Sequence, residues 1–374
     1  MTSSPKSRSE HPYHMFEEIL NQPKIVNEIL SKLSMQIDEV AEKIFSWSPR
    51  KIFLTGCGTS YNAALGGRYV LSNLTEFDAE CLPSFELGNY MPIKVFNKAC
   101  VIAISSSGAT KATCRALSFA KSNGSRTISI VGVPQTPLAD CSDEVIVTPG
   151  GKELSQAVTR SYVSQMVVLN MLAITCAKLC GNEEPCRSLE VEMKALPEKI
   201  KHSIEGKTDT MRILASRCLN MDGILFIGAG PNWATALEGS LKTVEVAHMC
   251  SMGFDLEEIL HGPRVLLNSK KAVVIIEPGE RSLQRAAEIT EGIYELGSLV
   301  IAVTSKKGAR SLKLAKNLIS MPDGLSELLT PILYIVPLQL LAYFLAVERK
   351  MNPDVLREDE DYLRASKIAS TRLL

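Results

Sequence analysis

Between Phe16 and Ser46 apolar side chains recur three and four residues apart: Phe16, Ile19, Leu20, Ile25, Ile29, Leu30, Leu33, Ile37, Val40 and Ile44. That spacing predicts amphipathic helices within residues 16–50, with Pro23 ending one helix and opening the next. The polar run before them carries no period, and residues 1–15 are expected to form a disordered arm. Beyond Pro49 the pattern changes to short apolar runs: KIFLTG (51–56), Glu80–Leu82, VIAIS (101–105), TISIVG (127–132) and EVIVTP (144–149). Helical stretches separate them, from about Tyr61 and near Thr110–Ser122. A longer helical stretch fills Val158 to Ala215, and then the alternation returns with GILFIG (223–228), AVVIIE (272–277) and LVIAVT (299–304), with helices from about Trp233 and near Ser282–Glu295. Alternating strands and helices imply parallel sheets covered on both faces. The expected fold is α/β: two tandem domains, each a doubly wound, flavodoxin-like or Rossmann-like sheet. The predicted limits are 51–205 and 206–350, with a tail at 351–374 that contributes to the active site.

A shift of 172 residues places Gly56, Gly58, Ala64, Leu65 and Gly67 on Gly228, Gly230, Ala236, Leu237 and Gly239. Five identities in twelve positions support an internal duplication. Each copy reads strand, G-x-G, helix, which resembles a nucleotide-binding turn. Tyr61 and Trp233 stand where the third glycine of that fingerprint belongs, and no acidic residue of the ribose-binding type follows. A smaller phosphate ligand is therefore expected over a dinucleotide.

The 374 residues suit two or three domains. Forty-one Lys and Arg balance forty-one Asp and Glu, so no net field draws the protein to nucleic acid or an anionic membrane. The ten cysteines form no CxxC pair and the five histidines no HExxH, so no metal site is expected. With no apolar leader readable at the N-terminus, reduced thiols in the cytoplasm are expected. Leu328–Val347 is apolar for about the span of a bilayer. Pro331, Pro337, Tyr334 and Gln339 interrupt it, which points to a buried helix at a domain or subunit interface rather than a membrane span.

Ser105-Ser106-Ser107-Gly108-Ala109-Thr110 follows the strand VIAIS at a strand-to-helix turn. Such a loop can aim backbone N–H groups and hydroxyls at one phosphate, with the helix dipole adding attraction. The same turn could serve only to cap its helix. At the matching place in the second copy stands Glu277-Pro278-Gly279-Glu280, which would repel an anion, so phosphate is expected in the first copy alone.

TGCGTSYNAA (55–64), SSSGAT (105–110), ALEGSLKTVEVAH (236–248), HGP (261–263) and YIVPLQLLAY (334–343) together resemble the sugar isomerase (SIS) family, in particular the isomerase half of glucosamine-6-phosphate synthases. The resemblance runs from EEILNQP (17–23) nearly to the C-terminus. It implies that Ser105, Ser106, Ser107 and Thr110 hold the phosphate, with Cys57, Gly58, Thr59 and Ser60 near the sugar hydroxyls. It also implies Glu245 as the base that moves a proton between C1 and C2, His261 as the group that opens the sugar ring, and Lys367 as a lysine reaching the substrate carbonyl. Lys242 and Glu153 complete the expected substrate contacts. Glu238, Lys242 and Glu245 share one helical face at i, i+4 and i+7, so an ammonium lies beside the base; the same spacing also fits a solvated stripe. His248 is expected to be structural.

The family's SQSGET reads SSSGAT here, and its ExxVASTKxF-like segment reads GKELSQAVTRSY (151–162), where Arg160 could meet a larger leaving amine or lie on the surface. Leu363 replaces an expected arginine near Lys367, and a surface lysine fits that stretch as well. The family's glutaminase domain, with its cysteine nucleophile, is expected to be missing, because Met1-Thr2 leads almost directly into the isomerase region. The resemblance then implies an isomerising deaminase that converts an amino-hexose-6-phosphate such as glucosamine-6-phosphate to fructose-6-phosphate and ammonia, or the reverse. Its alternatives are a fructosamine-6-phosphate deglycase and a non-catalytic sugar-phosphate sensor. No cofactor is expected. The expected partners are a small sugar phosphate and a second copy in a homodimer, with the apolar 328–347 helix as the interface.

Overall fold

The computed structural model describes residues 8–278, 281–305 and 315–371. Its strands are β1 (Lys51–Gly56), β2 (Ala79–Pro83), β3 (Ala99–Ser105), β4 (Arg126–Val131), β5 (Glu144–Val147), β6 (Gly223–Gly228), β7 (Ser251–Asp255), β8 (Lys271–Glu277), β9 (Leu299–Thr304) and β10 (Asn317–Ser320). They form two five-stranded sheets in the orders β2-β1-β3-β4-β5 and β7-β6-β8-β9-β10. Every pairing is parallel. Both sheets thus run 2-1-3-4-5, the doubly wound α/β arrangement the alternating sequence predicts. The interior strands β3 and β6 are buried at every position, which is why they read as apolar runs.

The chain divides into two compact units, Lys24–Val191 with the segment from Val355, and the described residues up to Pro23 with Glu192–Asp354. The first unit holds β1–β5, α2 (Gln22–Lys32), α3 (Ser34–Trp47), α4 (Thr59–Leu74), α5 (Ser84–Asn89), α6 (Lys111–Ser122), α7 (Pro137–Asp140) and α8 (Arg160–Leu179). The second holds α1 (His14–Leu20), β6–β10, α10 (Pro231–Ala247), α11 (Leu283–Glu295) and α12 (Thr330–Glu348), while α9 (Glu183–Cys218) leads into it and α13 (Glu360–Thr371) ends the chain in the first unit.

The duplication is visible in the backbone. Gly58 (φ 55°, ψ −128°) and Gly230 (φ 53°, ψ −131°) cap α4 and α10 in the same positive-φ conformation, which only glycine adopts without strain. Gly67 of α4 lies against Leu169 of α8, and Gly239 of α10 against Leu338 of α12, so the two helix pairs pack closely through matched glycines.

Two expectations change here. Residues 8–15 do not form a disordered arm: Met15 is fully buried, the Tyr13 N–H donates to Tyr343 Oη (3.2 Å), and His11 Nδ1 lies 2.7 Å from the same hydroxyl. The Asp354 carboxylate accepts the His14 and Met15 N–H groups (3.0 and 2.8 Å) and so caps α1, a partner too distant in sequence to foresee. Residues 1–7 lie outside the described residues. The second change concerns α12, which is buried from Thr330 to Ala346 and packs on α10 and α1 of its own unit. It and α8 are long and apolar enough to cross a membrane, yet 94% and 78% of their apolar windows are buried in the protein. With α12 covered within its own chain, the apolar face offered as a dimer interface is not free.

Candidate functional site

In a 2-1-3-4-5 sheet the connections after the first and third strands leave toward opposite faces, opening a crevice at their carboxyl ends. In the first unit those two connections are the β1–α4 turn, Cys57 to Ser60, and the β3–α6 loop, Ser106 to Thr110. The expected phosphate and sugar contacts therefore fall on adjacent strands of one sheet.

The loop's hydrogen bonds set its polarity. The Gly108 N–H donates to Ser105 Oγ (3.1 Å), and Ser105 Oγ lies 3.1 Å from Thr110 Oγ1. The Gly108 N–H takes one lone pair of Ser105 Oγ, and between Ser105 and Thr110 either hydroxyl can be the donor, so the three groups form one connected polar set. The Ala109 N–H donates to Ser107 Oγ (3.3 Å), which leaves the exposed Ser107 hydroxyl to donate outward. Thr110 caps α6 without a side-chain bond to it. Hydroxyls beside a helix N-terminus are the chemistry an anion would need here. Gly108 holds this shape at φ 61°, packed so closely on Thr136 that a Cβ would fall 2.2 Å from its Oγ1.

The β1–α4 turn is less uniform. Cys57 is exposed, and its Sγ lies 3.7 Å from Thr113 Oγ1 in the first turn of α6. Thr113 continues to Ser84 Oγ (3.0 Å), tying this turn to the loop's helix through buried hydroxyls. Thr59 and Ser60 are buried.

Two expected contacts have other work. Glu153 is 4% exposed, and its carboxylate accepts the N–H groups of Thr159 (2.9 Å), Arg160 (3.0 Å) and Ser161 (2.8 Å). It caps α8 rather than facing a sugar. Lys242, also expected at the substrate, is fully buried between Glu238 Oε1 (3.5 Å) and Glu245, so its ammonium is paired with two carboxylates of its own helix. Arg160 is buried, and its guanidinium donates to the Gly151 carbonyl (2.8 Å), so it lies inside the fold instead of on a surface.

The remaining expected groups lie as follows. Glu245, on α10 in the second unit, is paired with Lys242 while its side chain stays 24% exposed. His261 follows a 3₁₀ turn, 65% exposed, with Nε2 3.8 Å from Glu257 Oε1. Two hydrogen bonds from Arg285 (2.7 and 2.8 Å) hold the Glu257 carboxyl below the usual range, so that carboxylate stays charged beside the imidazole. His248 is the left-handed cap residue of α10 (φ 48°), in keeping with a structural role. Lys367 is exposed on α13, in the unit that carries the serine loop. Among the described residues no three His, Cys, Asp or Glu side chains gather as a metal site.

Sequence reading missed Ser161 and Gln165. Ser161 Oγ lies 2.7 Å from Ser106 Oγ, and Gln165 Nε2 donates to Ser60 Oγ at 3.2 Å. Two polar residues four apart within an apolar helix were the available signal.

These features define a duplicated, doubly wound α/β protein in which one copy carries a serine-rich loop at its switch point. The chain belongs to the SIS-domain family, whose model matches residues 46–175 and 220–349. It is 32% identical over 349 residues to a glutamine–fructose-6-phosphate aminotransferase (isomerizing) of Thermococcus kodakarensis, covering 93% of this chain and 57% of that protein. A Pyrococcus horikoshii protein of the same name is 33% identical, over 92% of this chain and 56% of its own. The chain thus spans just over half the length of these relatives. Among solved structures, the C-terminal domain of glucosamine-fructose-6-phosphate aminotransferase from Francisella tularensis superposes with a TM-score of 0.86 at 22% identity, covering 94% of this chain and all of that one. Glucosamine-6-phosphate deaminase from Thermotoga maritima gives 0.73 at 21% identity, over 93% and 98%. At those identities the likeness is one of fold.

Proposed function

We propose that the protein is a sugar-phosphate isomerase that binds an amino-hexose-6-phosphate and couples aldose–ketose isomerisation to loss, or gain, of the amine. The observation that carries this reading is the place of the serine loop, with its exposed Ser107 hydroxyl, at the switch point of the first sheet. In the forward direction His261 shuttles the proton that opens the ring. Glu245 then takes the proton from C2 and returns it to C1, converting the 2-amino aldehyde to a C2 imine. Water adds to that carbon and ammonia leaves, giving fructose-6-phosphate. The Lys242 ammonium holds the Glu245 carboxylate through these transfers, and Lys367 assists at the carbonyl. The proposal includes a cytoplasmic homodimer working without metal or organic cofactor. The deglycase alternative loses support because Arg160 is spent on Gly151 within the fold.

The test is ammonia release from glucosamine-6-phosphate by the purified protein, with Glu245→Gln as control. The expected result is release by the native protein and none by the variant, which still binds fructose-6-phosphate. No release from a protein that fructose-6-phosphate stabilises would refute the deaminase and favour a sensor or an enzyme for a larger amine.

A further inference from the structure

Ser161, Gln165 and Leu169 stand one turn apart on a single face of α8. Ser161 meets the serine loop through Ser106 (2.7 Å), Gln165 meets the β1–α4 turn through Ser60 (3.2 Å), and Leu169 fills the space beside Gly67 of α4. One rigid helix, its first turn fixed by Glu153, therefore backs both connections at the crevice.

Gln165 is 2% exposed, and its amide is only half satisfied. Nε2 is committed to Ser60, while Oε1 is buried with no hydrogen-bond partner among the described residues. A buried amide oxygen left unpaired is costly, so its retention calls for a partner that arrives later. The donor end anchors the amide to a turn that borders the crevice. Ser60 has a lone pair occupied by Nε2, which leaves its own proton to point elsewhere.

Resting on the sugar-phosphate reading, we infer that Gln165 is a specificity residue for the sugar: Oε1 accepts a hydrogen bond from a hydroxyl or ammonium group of the ligand, while the serine loop holds the phosphate. The two contacts divide the ligand, so they are separable by experiment. Gln165→Met keeps the length of the side chain and removes both polar atoms. Fructose-6-phosphate, glucosamine-6-phosphate and inorganic phosphate are titrated against both proteins by calorimetry or thermal shift.

The expected result is that both sugar phosphates weaken about ten-fold, equivalent to about 1.4 kcal/mol, while inorganic phosphate changes less than about two-fold and the melting temperature does not fall. Loss confined to glucosamine-6-phosphate identifies the donor as its ammonium; equal loss of both identifies a shared hydroxyl. Unchanged sugar binding, or an equal loss of inorganic phosphate, overturns the inference. If the native protein binds none of the three, the sugar-phosphate reading itself fails, a separate outcome. Should Gln165→Met not fold, Gln165→Asn, which withdraws the oxygen by one methylene, must show the same split.

Discussion

Replacing Glu153 with alanine separates a helix cap from a substrate ligand. The carboxylate makes three hydrogen bonds to backbone N–H groups, all 2.8–3.0 Å long, and it is 4% exposed, so solvent does little to replace it. A hydrogen bond to a charged group is worth about 1.5–3 kcal/mol and an N-cap about 0.5–2 kcal/mol. Three bonds to one carboxylate are not additive, and removing the buried charge returns part of its desolvation cost. The expected loss for Glu153→Ala is therefore about 3 kcal/mol. For a unit of this size that corresponds to a fall of roughly 6–12 °C in melting temperature. Glu153→Gln keeps one acceptor but turns an NH₂ group toward an N–H, and should lose about half as much. Thermal and urea unfolding followed by circular dichroism, with fructose-6-phosphate titrated in parallel, read both properties. A Glu153→Ala protein that melts within about 1–2 °C of the native one, yet no longer binds the sugar phosphate, would refute the cap and restore Glu153 to the ligand.

Two further outcomes follow from burial. Cys81, Cys176 and Cys218 have their thiols pushed up to about 12 by burial, and the fully buried Cys100 is shifted the same way, whereas Cys57 and Cys250 are exposed. At pH 8 a maleimide should label Cys57 and Cys250 first, and fructose-6-phosphate should slow only Cys57; peptide mapping that finds Cys57 unprotected would count against the β1–α4 turn as part of the site. Burial also pushes the Tyr343 phenol up to about 12 from an ordinary value of 10.0. Between those values the folded state holds a proton that the unfolded state has released. The stability it contributes is complete below pH 10 and is lost as pH rises through 12, by at most about 2–3 kcal/mol. Tyr343→Phe should flatten that alkaline decline in the urea midpoint, and a slope identical to the native protein's would show that Tyr343 is not the group responsible.

The parts of the fold legible in the sequence were those whose cause is local. KIFLTG, GILFIG and LVIAVT gave β1, β6 and β9 to the residue, because a strand covered on both faces needs an unbroken apolar run. The strands β7 and β10 were missed: SMGFD has no β-branched residue, and NLIS alternates buried with exposed at the edge of its sheet. The stretch from Val158 to Ala215, read as helical, is divided around Gly181 into α8 and α9. At the site, the serine loop was legible because its bonds join residues two to five apart. The partners of Ser161 and Gln165 lie 55 and 105 residues away, a distance no local pattern spans. Glu153 was expected at the substrate from its match to the family segment, whereas its bonds show it capping α8, a role that depends on backbone N–H groups six to eight residues on.

The duplication explains why one copy should carry the anion site. The 172-residue offset that aligns Gly58 with Gly230 also aligns Ser105 with Glu277, and both residues end the strand that borders the crevice. The backbone at the neighbouring turn has been kept to within a few degrees, so the geometry of the switch point is common to both copies. The side chains at the strand end differ, beginning with Ser105 against Glu277. Where Ser105 accepts from Gly108 and lies within hydrogen-bond reach of Thr110, Glu277 is 1% exposed and accepts a hydrogen bond from Ser282. Gly279 and Glu280, expected to add to the repulsion, lie outside the described residues, but Glu277 suffices for the argument. A carboxylate turned into a low-dielectric strand end opposes a phosphate far more strongly than it would in water. The backbone of the glycine turn is common to both copies, and if the serine loop holds the phosphate as proposed, the glutamate at the matching edge disfavours one in the second copy.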